Sequence, residues 1–243
     1  MKETSILNYI QNAKKNKQKL LAILLDPDKI LLKKLPEVVQ KINESNAHLI
    51  FVGGSLLFKN VLDEFVQIIK NSTQLPIILF PGNAIQISNK ADGILFLSLI
   101  SGRNPEFLIG NQVIAAPLLK QTTLEILSTS YLLIESGRET TASYISNTKP
   151  IPRHKPEIAM ATALAGEMLG HHLIYLDGGS GAQYAVPPEM IKMVADNINI
   201  PLIVGGGIKS EKQLNDAFES GADMAVIGTA FENDINFLKQ YEL

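Results

Sequence analysis

The chain has 243 residues, of which 46% are hydrophobic, enough to bury one barrel-sized core. Its 22 basic and 24 acidic residues give a net charge of −2, which carries no bulk bias toward nucleic acid or an anionic surface. Cysteine is absent, which excludes disulfides, thiolate metal sites and a cysteine nucleophile.

The first segment, MKETSILNYIQNAKKNKQK, is polar and amphipathic and predicts a helix over about 3–18, with no apolar core of the signal-peptide kind. No later stretch reaches the roughly 18 apolar residues of a spanning helix, so the expectation is a cytoplasmic protein with at most peripheral membrane contact. Eight short apolar runs follow: LLAILLD (20–26), HLIFVGG (48–54), PIILFPG (76–82), GILFLSL (93–99), YLLIESG (131–137), LIYLDGG (173–179), PLIVGGG (201–207) and MAVIGTA (224–230). They are near-continuous rather than alternating, as strands buried on both faces are. Helical patterns lie between most of them, at 59–72, 155–170, 187–198 and 210–221, the last ending in a glycine suited to a C-cap. A single α/β domain over 1–243, a (β/α)8 TIM barrel, is the fold this order predicts, with an open doubly wound sheet as the alternative.

Two intervals depart from the repeat. Only GNAIQISNKAD (82–92) separates the third and fourth strands, so the third helix is expected to be missing or degenerate. The long interval 100–130 holds an extra run, QVIAAPLL (112–119), which reads as an added segment packed outside the barrel.

A TIM barrel places its site at the C-terminal ends of the strands. The first strand ends in Asp26 and Asp28, the second in Ser55, and the sixth in Tyr175, Asp177 and Ser180. The seventh and eighth run into glycine, where barrels commonly bind phosphate, so backbone N–H groups of Gly206, Gly207, Gly228 and Thr229 are candidate phosphate donors. Asp28 is expected to cap a helix beginning near Lys29. Asp26 beside the Ser55 hydroxyl suits Mg2+, which takes few protein ligands and leaves positions for phosphate oxygens, although Asp-Pro-Asp is also a good turn. Asp177, next to a phosphate pocket, is placed to be a general base or is a turn residue. His171 and His172 are expected at a helix end or on the surface, and Arg138, Lys149, Arg153 and Lys155 either meet a second phosphate-bearing substrate or are solvated.

In this order, LLDPDK, FVGGS, YLLIESG with SNTKPIPRHKPEIA, IYLDGGSGA, LIVGGGI and VIGT resemble the geranylgeranylglyceryl phosphate synthase family, which includes bacterial heptaprenylglyceryl phosphate synthases. The resemblance spans about 20–230, and its SNTKPIP segment is similar to the branch shared by many archaea and some bacteria. It implies a barrel lacking its third helix and a Mg2+-dependent prenyltransferase. In that reaction the C3 hydroxyl of sn-glycerol 1-phosphate attacks C1 of a polyprenyl diphosphate, geranylgeranyl in the first instance, and diphosphate leaves. It also implies a homo-oligomer, dimer or hexamer. Carried over by position, Asp26 and Ser55 would bind Mg2+. Tyr175, Leu176, Asp177, Gly178, Gly179, Ser180 and Gly181 would hold glycerol phosphate together with Gly206, Gly207, Gly228 and Thr229, with Tyr175 and Asp177 as catalytic residues. Many family members carry Glu where this chain has Asp177, a side chain one methylene shorter. The alternatives are an isomerase or epimerase barrel acting on a small phosphorylated compound, and a lipid-phosphate carrier that binds without turnover.

Overall fold

The computed structural model describes residues 5–233. Eight strands alternate with helices: α1 (Ile6–Lys15), β1 (Leu20–Leu25), α2 (Leu35–Asn43), β2 (Leu49–Val52), α3 (Leu62–Ser72), β3 (Ile77–Leu79), β4 (Gly93–Ser98), α4 (Asn111–Leu119) and β5 (Glu125–Leu133) form the first part. α5 (Thr141–Ser146), α6 (Pro156–Met168), β6 (Leu173–Asp177), α7 (Pro188–Ala195), β7 (Leu202–Gly205), α8 (Glu211–Glu219), β8 (Met224–Ile227) and α9 (Thr229–Asn233) complete it. The strands pair in sequence order, all parallel, and the barrel closes where Leu20–Ile23 of β1 pairs with Met224–Ile227 of β8. This is the barrel the apolar runs predict. The open-sheet alternative fails on that last pairing.

Side chains alternate in and out along each strand. One set, including Ala22, Phe51, Leu95, Leu127, Tyr175, Ile203 and Met224, fills the barrel interior. The other, including Ile23, Ile50, Leu132, Ile174 and Val204, packs beneath the helices. The predicted N-terminal helix is present as α1, and residues 3 and 4 of its expected span lie outside the described residues. Ser5 caps it through the Asn8 N–H, and Glu125 at the start of β5 accepts the N–H groups of Ile6 and Leu7 at 2.6 and 2.8 Å. Its apolar face, Ile6, Ile10 and Ala13, joins the interior cluster and closes the bottom of the barrel.

Between β3 and β4 there is no helix. The run 112–119 is corrected: it belongs to α4, the helix of the β4–β5 crossover, introduced by a π-helical turn over Glu106–Gly110, and is not an addition to the repeat. The expected helix at Lys29 is also corrected. The chain passes through a 3-10 turn (Leu32–Lys34) before α2 starts at Leu35, so Asp28 caps nothing. Instead its carboxylate accepts the N–H groups of Phe58 and Lys59 at 2.7 and 3.1 Å, tying the loop after β1 to the loop after β2. His171 Nδ1 lies 2.5 Å from Ser130 Oγ, and burial pushes its pKa down, with His172 adding to the effect.

Ile10 is fully buried against the barrel floor. Ile10→Ala is expected to cost roughly 2–5 kcal/mol, the usual range for an aliphatic truncation in a core. The check is a lower urea midpoint at unchanged slope; an unchanged midpoint would show that α1 does not seal the barrel.

Candidate active site

Parity along β6 turns Leu173, Tyr175 and Asp177 inward. Tyr131 of β5 is the register partner of Tyr175, and their rings meet edge to face at 5.6 Å. Phe80, just past β3, stacks on Tyr175 at 5.2 Å. These three rings form an aromatic floor across the barrel mouth, and Asp177 stands above it.

Asp177 is 7% exposed. The Tyr131 hydroxyl donates to its Oδ2 at 2.6 Å and the Gly179 N–H donates to its Oδ1 at 2.8 Å. Burial raises its pKa above the ordinary carboxylate value, while the two hydrogen bonds pull the other way. Burial, followed by the charge of Asp177, pushes both tyrosines well above 10. Both tyrosines therefore keep their protons, and Tyr131 is the one that donates to Asp177. The glycine after β7 is required by this carboxylate: a Cβ on Gly206 would lie 2.5 Å from Asp177 Oδ1, and its φ is +77°.

Asp177 opens into a cavity of about 500 Å3. Gly179, Ser180, Gly181, Gly206, Gly207, Gly228 and Thr229 all line it, so the loops after β6, β7 and β8 converge as expected. Leu176 and Gly178 do not. The Leu176 side chain packs into the outer cluster beneath the helices, and the Gly178 N–H is bonded to the Gly205 carbonyl at 3.0 Å. Two cations that loop sequence alone did not single out reach the same space. Lys29 Nζ lies 3.4 Å from Ser180 Oγ, and Lys209 Nζ donates to the Gln183 carbonyl at 3.1 Å.

Across the mouth, Asp26 and Ser55 line the same cavity. Asp26 Oδ1 accepts the Asp28 N–H at 3.0 Å and Oδ2 lies 3.5 Å from Lys29 Nζ. A Cβ on Gly54 would meet both carboxylate oxygens at 3.2 Å, so a side chain there would press on the carboxylate. Among the described residues no three acidic or histidine side chains gather as a metal cage. One carboxylate beside one hydroxyl fits a Mg2+ that arrives with phosphate oxygens as most of its shell.

The cavity's other arm is apolar. Because no helix follows β3, the outward residues Ile94 and Phe96 of β4 are left to line it, with Ala84, Ile87 and, from α4, Ala115 and Leu119.

The basic loop after β5 divides. Arg153 is a clamp, donating to the carbonyls of Glu135 and Ala185 and lying 5.0 Å over the Tyr184 ring. Lys155 pairs with Glu157 at 3.8 Å, and Lys149 is exposed. Arg138 reaches the loop after β6, since a Cβ on Gly181 would touch its guanidinium at 2.6 Å. Tyr131 is the main functional side chain the motifs did not point to. Its inward parity is readable in YLLIESG, but its contact with Asp177 depends on the β5–β6 register.

The PcrB family model matches residues 13–241. A geranylgeranylglyceryl phosphate synthase of Flavobacterium johnsoniae is 55% identical over 234 residues, 96% of each chain. One of Thermococcus gammatolerans is 48% identical over 224 residues, 90% of this chain and 86% of its own. The crystal structure of (S)-3-O-geranylgeranylglyceryl phosphate synthase from Thermoplasma acidophilum in complex with sn-glycerol-1-phosphate superposes with a TM-score of 0.92 at 32% identity, covering 97% of this chain and 95% of that one. An N-acetylmannosamine-6-phosphate 2-epimerase from Clostridium perfringens, at TM-score 0.60 and 14% identity, shares the barrel alone. The chain belongs to the PcrB family, the family of the geranylgeranylglyceryl phosphate synthases, and is a prenyltransferase.

Proposed function

We propose that the enzyme joins the C3 hydroxyl of sn-glycerol 1-phosphate to C1 of a long polyprenyl diphosphate, geranylgeranyl in the first instance, in the cytosol. The observation that carries this reading is one continuous cavity with three parts: a glycine-turn rim flanked by Lys209, a buried carboxylate, and an apolar arm. An isomerase acting on a small phosphorylated compound needs the rim and not the arm.

In this reading the N–H groups of Gly206, Gly207, Gly228 and Thr229 receive the phosphate of glycerol phosphate, as glycine turns after the last barrel strands do. Asp177, its carboxylate steadied by Tyr131 and Gly179, takes the proton from the C3 hydroxyl. The new C–O bond forms at C1 of the allylic chain while the bond from C1 to diphosphate breaks, and diphosphate leaves with the electron pair. Each Asp177 oxygen accepts one hydrogen bond and keeps a further lone pair for the substrate. Tyr175 holds the floor and the orientation of Tyr131 through ring contact. Lys29 and Arg138 offer positive charge at the mouth. Mg2+ held by Asp26 and Ser55 would neutralise charge on the departing diphosphate. The apolar arm beside β4 receives the isoprenoid tail. We also assign the exposed apolar face formed by Ile109, Val113, Ile114 and Leu118 to contact between copies in a homo-oligomer.

The reading is tested by diphosphate release from geranylgeranyl diphosphate with sn-glycerol 1-phosphate or its 3-phosphate isomer, each with Mg2+ and with chelator. Release is expected with the 1-phosphate and Mg2+ alone, and none with either isomer would return the chain to a small-phosphate barrel. Asp26→Ala is expected to abolish release while calorimetry finds glycerol phosphate affinity within about twofold, since the carboxylate faces the other substrate; equal loss of both would contradict the metal role. A second forecast concerns pH. Asp177 accepts a proton only when ionised, so the rate should fall as pH drops through its raised pKa. Tyr131→Phe removes a hydrogen bond that favours the ionised form, so the acid limb should move to higher pH, with kcat lower by roughly 10 to 100-fold. An acid limb that stays in place would remove Tyr131 from the proton path. A third concerns assembly: Val113→Glu with Ile114→Glu should reduce the native mass by light scattering at unchanged circular dichroism, and an unchanged mass would rule out the α4 face.

A further inference from the structure

Three large apolar side chains on loops at the C-terminal end of the barrel point into solvent: Leu31 is 53% exposed, Phe58 84% and Ile85 79%. Each sits on a different loop, after β1, β2 and β3 respectively. The loops are fastened together. Asp28 bonds the backbone of Phe58 and Lys59, and Lys59 Nζ returns a hydrogen bond to the Asp28 carbonyl at 2.8 Å. The third loop lies so close to the second that a Cβ on Gly82 would fall 2.4 Å from the Ser55 carbonyl oxygen. The Ile85 N–H is held by Asn83 Oδ1 at 3.0 Å. These apolar tips are therefore presented by bonded backbone.

Charge on the same quarter of the rim is one-sided. The first two loops carry Lys29, Lys33, Lys34 and Lys59, all exposed, in a chain whose net charge is −2. Their carboxylates, Asp26 and Asp28, are turned to the cavity and to the loop backbone, and the next acidic groups are Glu37 in the first turn of α2, against which Lys29, Lys33, Lys34 and Lys59 leave a basic excess, and Asp63 and Glu64 in the first turn of α3. Apolar tips flanked by lysines are the pattern of a surface that sits in the headgroup layer of an anionic bilayer.

We propose that this rim docks on anionic membrane, with Leu31, Phe58 and Ile85 entering the boundary between headgroups and acyl chains and Lys33, Lys34 and Lys59 meeting lipid phosphates. Phe58 borders the cavity, so the docked enzyme opens its mouth onto the bilayer. The purpose of docking rests on the polyprenyl reading above, because a long isoprenoid tail partitions into lipid and a mouth facing the membrane spares it a passage through water. The docking itself does not require turnover.

The test is co-sedimentation of the full chain with vesicles of phosphatidylcholine alone and of phosphatidylcholine mixed with phosphatidylglycerol. Wild type is expected to pellet with the mixed vesicles, to stay in solution with phosphatidylcholine, and to be released by high salt. Lys33→Glu with Lys34→Glu should weaken the partition at least about 25-fold, at about fivefold per lysine. Leu31→Asp with Ile85→Asp should weaken it too, while turnover of detergent-dispersed substrate by both variants stays at the wild-type rate. Absence of pelleting, equal pelleting with both vesicles, or variants that pellet like wild type would each overturn the proposal. A changed native mass in the Leu31/Ile85 variant at unchanged vesicle binding would overturn it as well, making the rim a contact between copies. Docking by a wild type that turns over no prenyl diphosphate in detergent would support the rim and overturn the prenyl-transfer reading, so the two fail separately.

Discussion

Closure of the sheet between β1 and β8 is the constraint from which the rest follows. Once every strand has two neighbours, each inward side chain must fit a confined interior, and the two ends of that interior must be stopped. At the bottom α1 does this with Ile6, Ile10 and Ala13. At the top Phe80, Tyr131 and Tyr175 do it with rings in edge and stacked contact. Asp177 follows Tyr175 on the same face of β6, so it is the first polar side chain above the aromatic floor. Its burial is a result of strand parity rather than of any local motif.

A buried carboxylate is costly unless donors meet it. Tyr131 and the Gly179 N–H supply two, and Gly206 keeps the third side clear. The arrangement leaves the carboxylate ordered and only partly compensated, with its proton affinity raised by burial. The glycines after β6 and β7 therefore cannot be read as loop filler, since one donates to this carboxylate and the other leaves it room. Gly54 performs the same service for Asp26 across the mouth, where water reaches further. Two carboxylates in one cavity thus meet different solvation.

The strands were legible because both faces are buried, and an unbroken apolar run leaves few other interpretations. The missing helix was legible as length, since residues 82–92 cannot hold a crossover helix with its loops. QVIAAPLL was misassigned for a physical reason. One side of α4 lines the cavity through Ala115 and Leu119 and the other exposes Val113, Ile114 and Leu118, so the amphipathic signal of a surface helix is erased. Pro117 near its end deepened the ambiguity. Asp28 was misread because Asp-Pro-Asp carries the local signal of a cap, and only the fold shows the carboxylate bonding a loop 30 residues away. Tyr131, Lys29 and Lys209 escaped because their roles are tertiary: they depend on register and on loops meeting over the mouth.

The absent crossover helix has consequences beyond length. In a regular barrel the outward face of β4 would be covered, but here Ile94 and Phe96 border the cavity. The π-helical turn at Glu106–Gly110 sets α4 along the remaining side, and it disturbs the hydrogen bonding that a regular helix start would make. Gln112 repairs part of this by donating its side-chain amide to the Leu97 and Phe107 carbonyls. Its buried Oε1 is left without a partner. An unpaired buried amide oxygen and an irregular helix start each oppose stability, and both fall along one arm of one cavity. At the polar end the carboxylate, Tyr131 and the glycine turn are already bonded to one another. The same fold therefore joins a hydrogen-bonded polar site to an apolar arm within one cavity, and the length lost between β3 and β4 is what lets the two share it.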